Sequence, residues 1–247
     1  MKNVIDWAPS KFVFREGRLR ASKDPKEVSL SSRFVVDLVA SFYDTHLKQH
    51  ACGRLIDLGC GKVPLYQIYK DCITDSLCTD WPGSIHKNPF LDLECDLNSP
   101  LPFQDNQFNT ALLSDVLEHI AKPEQLCREM HRILVPNGKV ILNVPFFYKL
   151  HETPHDYFRY TRFALLKFAE DSNFEVIVLE EIGGLPEVLT DLSSKLMVNI
   201  PVVGKLVSRI IQATSRIVMK TSLAKKLSAK TRQHYPLGYF MVLQKKA

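Results

Sequence analysis

The sequence lacks several features that would set a protein of this length apart from ordinary globular proteins. None of its six cysteines lies in a C-x-x-C pair, so we expect free thiols in a reducing compartment and neither a disulfide framework nor a zinc site. No apolar run approaches the roughly 18 residues that a membrane-spanning helix needs. The first residues also lack the apolar core of a signal peptide. We therefore expect a cytoplasmic protein.

Acidic residues are missing from the last part of the chain. From Leu192 to Ala247 there are eleven Lys and Arg and no Asp or Glu, while the whole chain has a net charge of +5. Such a segment suits an anionic partner, namely a membrane surface, phosphate or nucleic acid. No aromatic residues are interleaved for stacking on bases, so nucleic acid is not expected.

An amphipathic helix is predicted within this basic segment. Between Lys205 and Lys220 the apolar residues fall on one side at helical spacing and the basic residues on the other. Two interpretations remain open. The apolar stripe packs on the protein, or the segment Lys205–Lys230 lies on an anionic membrane and makes the protein peripheral.

The remainder of the chain alternates between short apolar strands and amphipathic helices. The strand candidates are Arg54–Leu58, Ser76–Asp80, Thr110–Ser114, Lys139–Val144, Phe174–Leu179 and Gly238–Gln244. Helices are predicted over 65–72, 123–133 and 162–172, with Thr161 capping the last. Residues 136–138 are predicted to form a turn. This alternation predicts an α/β fold with a mostly parallel sheet covered by helices on both faces.

The two ends of the chain add elements to this sheet. Residues 1–28 are polar and predicted to be irregular, and Ser31 or Ser32 is a candidate N-cap of a helix that runs to about His50. We expect residues 1–50 to form an N-terminal segment with a capping helix. Residues 51–247 would form the main domain, with 186–231 as a basic helical insertion before the last strand.

The clearest local motif is Arg54-Leu-Ile-Asp-Leu-Gly-Cys-Gly-Lys62. Its apolar strand ends at Asp57, and two glycines then form a tight turn at the sheet edge where open α/β folds bind ligands. Pro64 stands where a dinucleotide fingerprint needs its third glycine. An acidic residue at the turn disfavours phosphate and favours a ligand with a cationic group.

Two further acids follow the next strands of the pattern. Asp80 comes at the end of the second strand and is suited to accept hydrogen bonds from two ribose hydroxyls. Asp96 precedes a loop and is suited to accept one from an adenine amino group. Each acid alone would be an ordinary solvated loop residue; their order after the glycine turn favours a nucleoside ligand.

Taken together, these motifs resemble the class I S-adenosylmethionine (SAM)-dependent methyltransferases, in particular the ubiquinone/menaquinone-type branch. The resemblance covers residues 50–182 and rests also on Ser114-Asp-Val-Leu-Glu-His119 and Arg132-Ile-Leu-Val-Pro-Asn-Gly138. It implies a Rossmann-like seven-stranded sheet with an antiparallel last strand. It also implies SAM as cofactor, held by residues at the strand ends: Asp57, Gly59, Cys60, Gly61, Asp80, Trp81, Asp96, Leu97, Ser114 and Asp115.

The segment after the fifth strand contains the letters H-E-x-x-H, which in zinc proteases place two histidines on one helix face. Here Pro154 lies between His151 and His155. Proline costs about 3 kcal/mol inside a helix, so the helical arrangement is excluded. We therefore expect no metal at this motif.

The same segment is suited to be an acceptor loop, because it lies at the sheet edge that carries the SAM motif. It is very similar to a string found in methyltransferases of polysaccharide and glycolipid biosynthesis, which implies a sugar, nucleotide-sugar or lipid-linked glycan. The candidate bases are His151, Asp156 and His119. The candidate acceptor contacts are Glu152, His155, Tyr157, Arg159 and Tyr160. The alternative is that these side chains only hold the loop together.

O-methylation is the reaction that remains after the other methylation chemistries are considered. The position after the fourth strand reads Ser114-Asp-Val-Leu, which differs from the Pro-Pro turn of amine methylases, and no Pro-Cys nucleophile is present for pyrimidine carbon. An RNA or protein methyltransferase and a catalytically inactive SAM-binding protein remain alternatives. A nicotinamide-dependent oxidoreductase is a more distant one.

Overall fold

The computed structural model describes residues 1–84 and 88–247. Near the N-terminus, where irregular chain was expected, it has a hairpin formed by β1 (Phe12–Arg15) and β2 (Arg18–Ala21). The turn residues Glu16 and Gly17 both have positive φ, at 54° and 71°. That conformation matches the twist of the flanking strands. The expectation of irregular structure failed because Glu-Gly is a weaker turn signal than Asn-Gly.

The main sheet has seven strands, and the predicted fold class is confirmed. In chain order they are β3 (Gly53–Leu58), β4 (Ile73–Asp80), β5 (Leu93–Glu94), β6 (Phe108–Ser114), β7 (Leu134–Pro145), β8 (Phe174–Ile182) and β9 (Gly238–Lys245). Their order in the sheet is β5-β4-β3-β6-β7-β9-β8. The sheet is mostly parallel, with the last strands antiparallel. The carboxyl ends of the parallel strands β3, β4 and β6 therefore share one edge.

Seven α-helices lie within the described residues. They are α1 (Arg33–His50), α2 (Tyr66–Tyr69), α3 (Pro123–Ile133), α4 (Arg162–Asp171), α5 (Leu185–Val198), α6 (Gly204–Val218) and α7 (Ser222–Thr231). The predicted cap of α4 is confirmed, since the hydroxyl of Thr161 accepts a hydrogen bond from the Ala164 amide. The helix predicted over 65–72 was too long, because only one turn forms there.

The predicted turn at 136–138 is an irregularity within β7. Phe108 pairs with Leu134 and Thr110 with Lys139, so β7 advances five positions while β6 advances two. Asn137 takes a φ of 65° in this stretch. The turn-forming residues therefore interrupt the ladder without ending the strand, as in a β-bulge.

By its internal contacts, the chain divides into two units. The first comprises residues 1–9, 45–180 and 239–247, and the second residues 10–44 and 181–238. The first unit contains the sheet and a continuous apolar core in which Ile56, Leu113, Leu142 and Met241 are almost fully buried. Grouping of the N-terminal hairpin with the late helices was not indicated by the sequence pattern.

In the second unit, the buried face of α6 carries small and uncharged polar side chains. Ser208 and Gln212 are buried, and their side chains bond to the Ser194 hydroxyl at 2.7 and 2.9 Å. Leu206, Ile210 and Ile217 are instead 59%, 54% and 68% exposed. The interpretation that the whole apolar stripe packs on the protein is therefore wrong, because small and amide side chains take the buried positions. Among the described helices, none is long and apolar enough to cross a membrane.

Candidate functional site

The glycine turn after β3 is shaped by the neighbouring strands. Gly59 and Gly61 have φ of 75° and 49°, a region that other residues enter only with strain. The Gly59 and Cys60 amides both donate to the Thr79 carbonyl at 2.9 Å. A β-carbon at position 59 would lie 2.6 Å from a methyl of Val116. Position 59 therefore requires glycine, both because of its positive φ and because a β-carbon would clash with Val116.

Two buried carboxyl groups, Asp57 and Asp80, lie at this edge. Asp57 is 3% and Asp80 8% exposed. Burial raises the pKa of Asp57 to about 7, and the charge of Asp80 contributes to the shift. A cationic or hydroxyl-rich ligand would stabilise the charged form of Asp57 beside Asp80. The geometry thus agrees with the ligand class expected from the sequence.

The carboxylate of Asp80 is oriented by its own loop. One oxygen accepts from the Trp81 amide at 2.9 Å and the other from the Ser84 hydroxyl at 3.0 Å. A carboxylate oxygen accepts more than one hydrogen bond, so this arrangement is compatible with a ribose diol. The indole of Trp81 is 43% exposed beside it.

The Asp96 loop is held next to Asp80 but is more open. The Cys95 amide donates to the Asp80 carbonyl at 2.8 Å. The Asp96 carboxylate is exposed and accepts from the Asn98 amide at 2.9 Å, and this bond lowers its pKa. Leu97 is 5% exposed. In this structure Asp96 shapes its own turn, and a contact with adenine stays a prediction.

The end of β6 places Ser114 and Asp115 at the same edge. Asp115 has a φ of 55° and accepts a hydrogen bond at 2.5 Å from the amide of Asn143, which is 2% exposed at the end of β7. The sequence reasoning did not single out Asn143. Its position opposite Ser114 in the β6–β7 register becomes evident only once the strands pair.

The predicted acceptor loop is anchored on the short helical turn Leu117–His119. The backbone amides of Tyr157 and Phe158 donate to the Glu118 carbonyl at 2.9 and 3.2 Å. The buried Tyr160 hydroxyl donates to the Leu117 carbonyl at 2.9 Å. These bonds bring a segment more than 30 residues later onto the turn that follows β6.

The three candidate bases come together in this structure. The Nε2 atoms of His119 and His151 lie 3.1 Å apart, and His151 Nδ1 lies 3.2 Å from an Asp156 carboxylate oxygen. Arg159 donates to both oxygens of Asp156, at 2.6 and 2.8 Å. These bonds hold the pKa of Asp156 well below its usual range. Burial and the neighbouring His119 lower the pKa of His151. The arrangement favours His151 over Asp156 as the proton acceptor.

The predicted acceptor contacts are placed less uniformly. Glu152, His155 and Tyr157 are exposed, whereas Tyr160 is buried. The Arg159 guanidinium is engaged by Asp156 and by loop carbonyls, among them that of Lys149 at 3.2 Å. Some of these side chains therefore brace the loop and others face solvent, and their contact with an acceptor stays a prediction.

Trp81 and His155 join the donor edge to this loop. Their rings meet edge to face with centroids 5.0 Å apart. The strand-end carboxylates and the histidine cluster therefore border one region. Glu118, which the sequence reasoning did not single out, is fully buried beside the two histidines. Its only sequence signal was its place before His119.

Comparisons with known proteins agree with this geometry. The family model for a methyltransferase domain matches residues 56–142. A putative sarcosine dimethylglycine methyltransferase from Galdieria sulphuraria has a similar structure, with a TM-score of 0.55, 15% identity, and 97% of this chain and 93% of that one covered. A SAM-dependent methyltransferase from Archaeoglobus fulgidus is similar with a TM-score of 0.53 and 15% identity, and 83% of this chain and 93% of that one are covered.

A third similar structure is the [4+2]-cyclase SpnF, with a TM-score of 0.53, 17% identity, and 85% of this chain and 82% of that one covered. No curated protein sequence matches the chain. The structural likenesses show a class I methyltransferase fold. Together with the family match, they indicate a methyltransferase.

Proposed function

We propose that this SAM-dependent methyltransferase transfers a methyl group to a hydroxyl oxygen of a small molecule, a sugar or a lipid-linked glycan. The cofactor is SAM. When bound, SAM supplies a methyl group on a cationic sulfur, and the new C–O bond forms as the C–S bond breaks with its electron pair going to sulfur. The chain's own residues must hold the donor, align the acceptor oxygen and deal with its proton.

The donor side of the site fits SAM. The buried carboxyl of Asp57 would face the cationic amino-acid end, and Asp80 would accept from the ribose hydroxyls. The turn at Gly59 and Gly61 lets backbone approach the ligand without side chains. The raised pKa of Asp57 supports this assignment, because a bound cation favours its charged form.

The observation that carries the choice of a hydroxyl acceptor is the His119–His151 pair. A hydroxyl is a poor nucleophile until its proton is removed, which calls for a group with a pKa near the working pH. His151 Nε2 is the atom on which removal of this proton depends. Asp156 and Arg159 are positioning residues, since the Asp156 carboxylate accepts a hydrogen bond from the His151 backbone amide at 2.9 Å and is itself held by Arg159.

The test is transfer of a labelled methyl group from SAM to a panel of free sugars, nucleotide sugars and lipid-linked glycans. We expect methyl ether products, and a loss of at least a hundredfold in turnover in His151→Ala, with SAM affinity unchanged. His131→Ala, a histidine outside the loop, is the control. Methylation on nitrogen would contradict the proposal.

A non-transferring protein is the alternative that one comparison favours. The [4+2]-cyclase SpnF has the same fold, so the fold alone does not establish methyl transfer. Tight SAM binding with no methyl transfer to any acceptor would support this alternative. Strongly salt-dependent RNA binding would instead favour an RNA methyltransferase.

We also propose that the helices of the second unit bind an anionic membrane surface. Exposed apolar side chains occur on α5, α6 and α7 and in the loop between α5 and α6, and Lys205, Arg209, Lys225 and Lys226 are exposed among them. The apolar members are Leu189, Leu192, Leu196, Ile200, Val202, Val203, Leu206, Ile210, Ile217, Leu223 and Leu227. From Leu192 onward these apolar residues are flanked by cations and by no Asp or Glu in the sequence, and the two acids of α5, Glu187 and Asp191, are buried. Such a surface suits anionic lipid. A peripheral position would bring a lipid-linked acceptor to the enzyme.

Vesicle co-sedimentation tests this surface. Vesicles with anionic phosphatidylglycerol should retain the protein, and vesicles of phosphatidylcholine alone should retain much less. Ile210→Glu with Ile217→Glu should abolish retention, while Phe163→Glu, at a position 75% exposed in the first unit, should not. Equal retention by both kinds of vesicle, or by the double variant, would contradict the proposal.

A further inference from the structure

Three side chains of metal-binding type converge beside the acceptor loop. Glu118 and His119 come from the turn after β6, and His151 comes from the loop after β7. One Glu118 oxygen lies 3.9 Å from His119 Nε2 and 3.8 Å from His151 Nε2, and the two nitrogens are 3.1 Å apart. The three atoms all lie within 4.8 Å of one another, close enough to hold a metal ion.

The size of this triangle fits a metal ion. A point equidistant from the three atoms lies about 2.1 Å from each, which is the bond length of imidazole nitrogen and carboxylate oxygen to zinc. Two histidines and one carboxylate are also a common ligand set of catalytic zinc and of other transition metals.

The second nitrogen of His119 has a hydrogen-bond partner that directs Nε2 toward the ion, and the second nitrogen of His151 lies near a carboxylate. His119 Nδ1 lies 2.8 Å from the His155 carbonyl oxygen, which can only accept a hydrogen bond, so Nδ1 carries the proton. His151 Nδ1 faces the Asp156 carboxylate at 3.2 Å. The Nε2 lone pair of His119 therefore faces His151 Nε2 at 3.1 Å, and a cation can bind between the two nitrogens when His151 Nε2 also carries no proton. Carbonyl and carboxylate partners of this kind orient metal-binding histidines.

We propose that Glu118, His119 and His151 bind one divalent transition-metal ion, with zinc or manganese as the chemical class. Three protein ligands leave a coordination position for the acceptor hydroxyl. Coordination lowers the pKa of that hydroxyl, whose proton leaves to solvent, and the oxygen keeps its electron pair for the methyl carbon. This role rests on the proposed O-methylation and replaces direct proton removal by His151, because the Nε2 lone pair that binds the metal cannot also accept a proton. Metal binding itself does not rest on the proposed function.

No metal was expected from the sequence, because Pro154 prevents His151 and His155 from forming a pair on one helix face. That pair remains excluded. The cluster instead combines His151 with residues 32 and 33 positions earlier in the chain, and the ring of His155 points to the Tyr157 hydroxyl and Trp81.

Metal content of the purified full-length chain is the direct test. After chelation and dialysis, the protein is titrated with Zn²⁺, Mn²⁺ and Mg²⁺ by calorimetry, and bound metal is counted by mass spectrometry. We expect about one Zn²⁺ or Mn²⁺ per chain and weak Mg²⁺ binding, because Mg²⁺ prefers oxygen ligands.

Single variants locate the ion. His119→Ala, His151→Ala and Glu118→Gln should each weaken metal binding by about a hundredfold or more, exceeding the effect of losing an orienting partner. His155→Ala is the matched control, since its backbone carbonyl persists. Circular dichroism shows which variants remain folded. If Glu118→Gln unfolds, His119→Ala and His151→Ala still test the metal site, because their positions are partly exposed.

The outcomes separate this inference from the proposed function. Absence of stoichiometric Zn²⁺ or Mn²⁺ binding, or unchanged binding in both histidine variants, would overturn the metal site. Methyl transfer that survives complete chelation would overturn the proposed role of the ion and leave O-methylation in place. Metal binding without methyl transfer to any hydroxyl would leave the ion and overturn its proposed role.

Discussion

The indole of Trp81 meets the imidazole of His155 edge to face, with ring centroids 5.0 Å apart. Trp81 follows the carboxylate proposed to hold the ribose, and His155 lies in the loop proposed to hold the acceptor. This contact spans 74 positions of the chain and sets the two halves of the proposed reaction side by side. A methyl transfer needs such proximity, because the reacting atoms must be held about 3–3.5 Å apart in line.

Asp80 should dominate SAM affinity. Asp80→Ala removes both acceptors for the ribose hydroxyls, and we expect SAM binding measured by calorimetry to weaken at least tenfold, which corresponds to about 1.4 kcal/mol. Asp96→Ala should have a smaller effect, because that carboxylate is exposed and engaged by its own turn. Equal affinities of wild type and Asp80→Ala would mean that the ribose binds elsewhere.

SAM affinity should rise with pH across neutrality. The pKa of Asp57 is about 7, so the carboxyl is largely neutral at pH 6 and largely charged at pH 8. A cationic ligand binds the charged form better, and we expect affinity to increase several-fold over this interval. Asp57→Asn should bind more weakly and show a flatter pH dependence. A wild-type affinity independent of pH would contradict the contact.

The same carboxyl should also influence stability in the absence of ligand. Its pKa is raised in the folded state, so the folded chain retains a proton that the unfolded chain loses above about pH 4. The free energy of unfolding should therefore fall as pH rises from about 4 to about 7 and then level off. Denaturant titrations of Asp57→Asn should show less of this decline.

Asp156 should affect turnover more than donor binding. Asp156→Asn keeps the size of the side chain but weakens its bonds to Arg159 and to His151, and we expect turnover to fall by at least a hundredfold, as when an orienting carboxylate is lost. SAM affinity should stay within twofold. Joint loss of turnover and SAM binding would indicate that the loop has only a structural role.

We expect position 59 to accept a side chain only when Val116 is replaced by a smaller residue. Gly59→Ala places a β-carbon 2.6 Å from Val116 in a left-handed backbone, and the conformational part alone costs about 1–2 kcal/mol. We expect a lower melting temperature and weaker SAM binding. Gly59→Ala combined with Val116→Ala should recover part of both losses. A double variant no better than the single one would place the whole defect in the backbone.

Regular elements with strong periodicity could be predicted, and weakly signalled ones could not. Helix α3 was predicted with the bounds it has, since its apolar residues recur at helical spacing and proline marks its start. The two-residue strand β5 and the hairpin at residues 12–21 were missed. Their pairing depends on neighbours that are distant in sequence or on a turn with a weak signal.

The sequence by itself determined the donor end of the site, since Asp57, the two glycines and Asp80 belong to local strand-to-turn patterns whose chemistry can be recognised residue by residue. Only the tertiary structure decided that Glu118, His119 and His151 meet, and that α6 turns Leu206 and Ile210 to the solvent. The physical reason is how far apart in the sequence the interacting residues lie. A turn depends on the φ and ψ of adjacent residues, whereas convergence of separate segments depends on which strands pair and which helix face is buried.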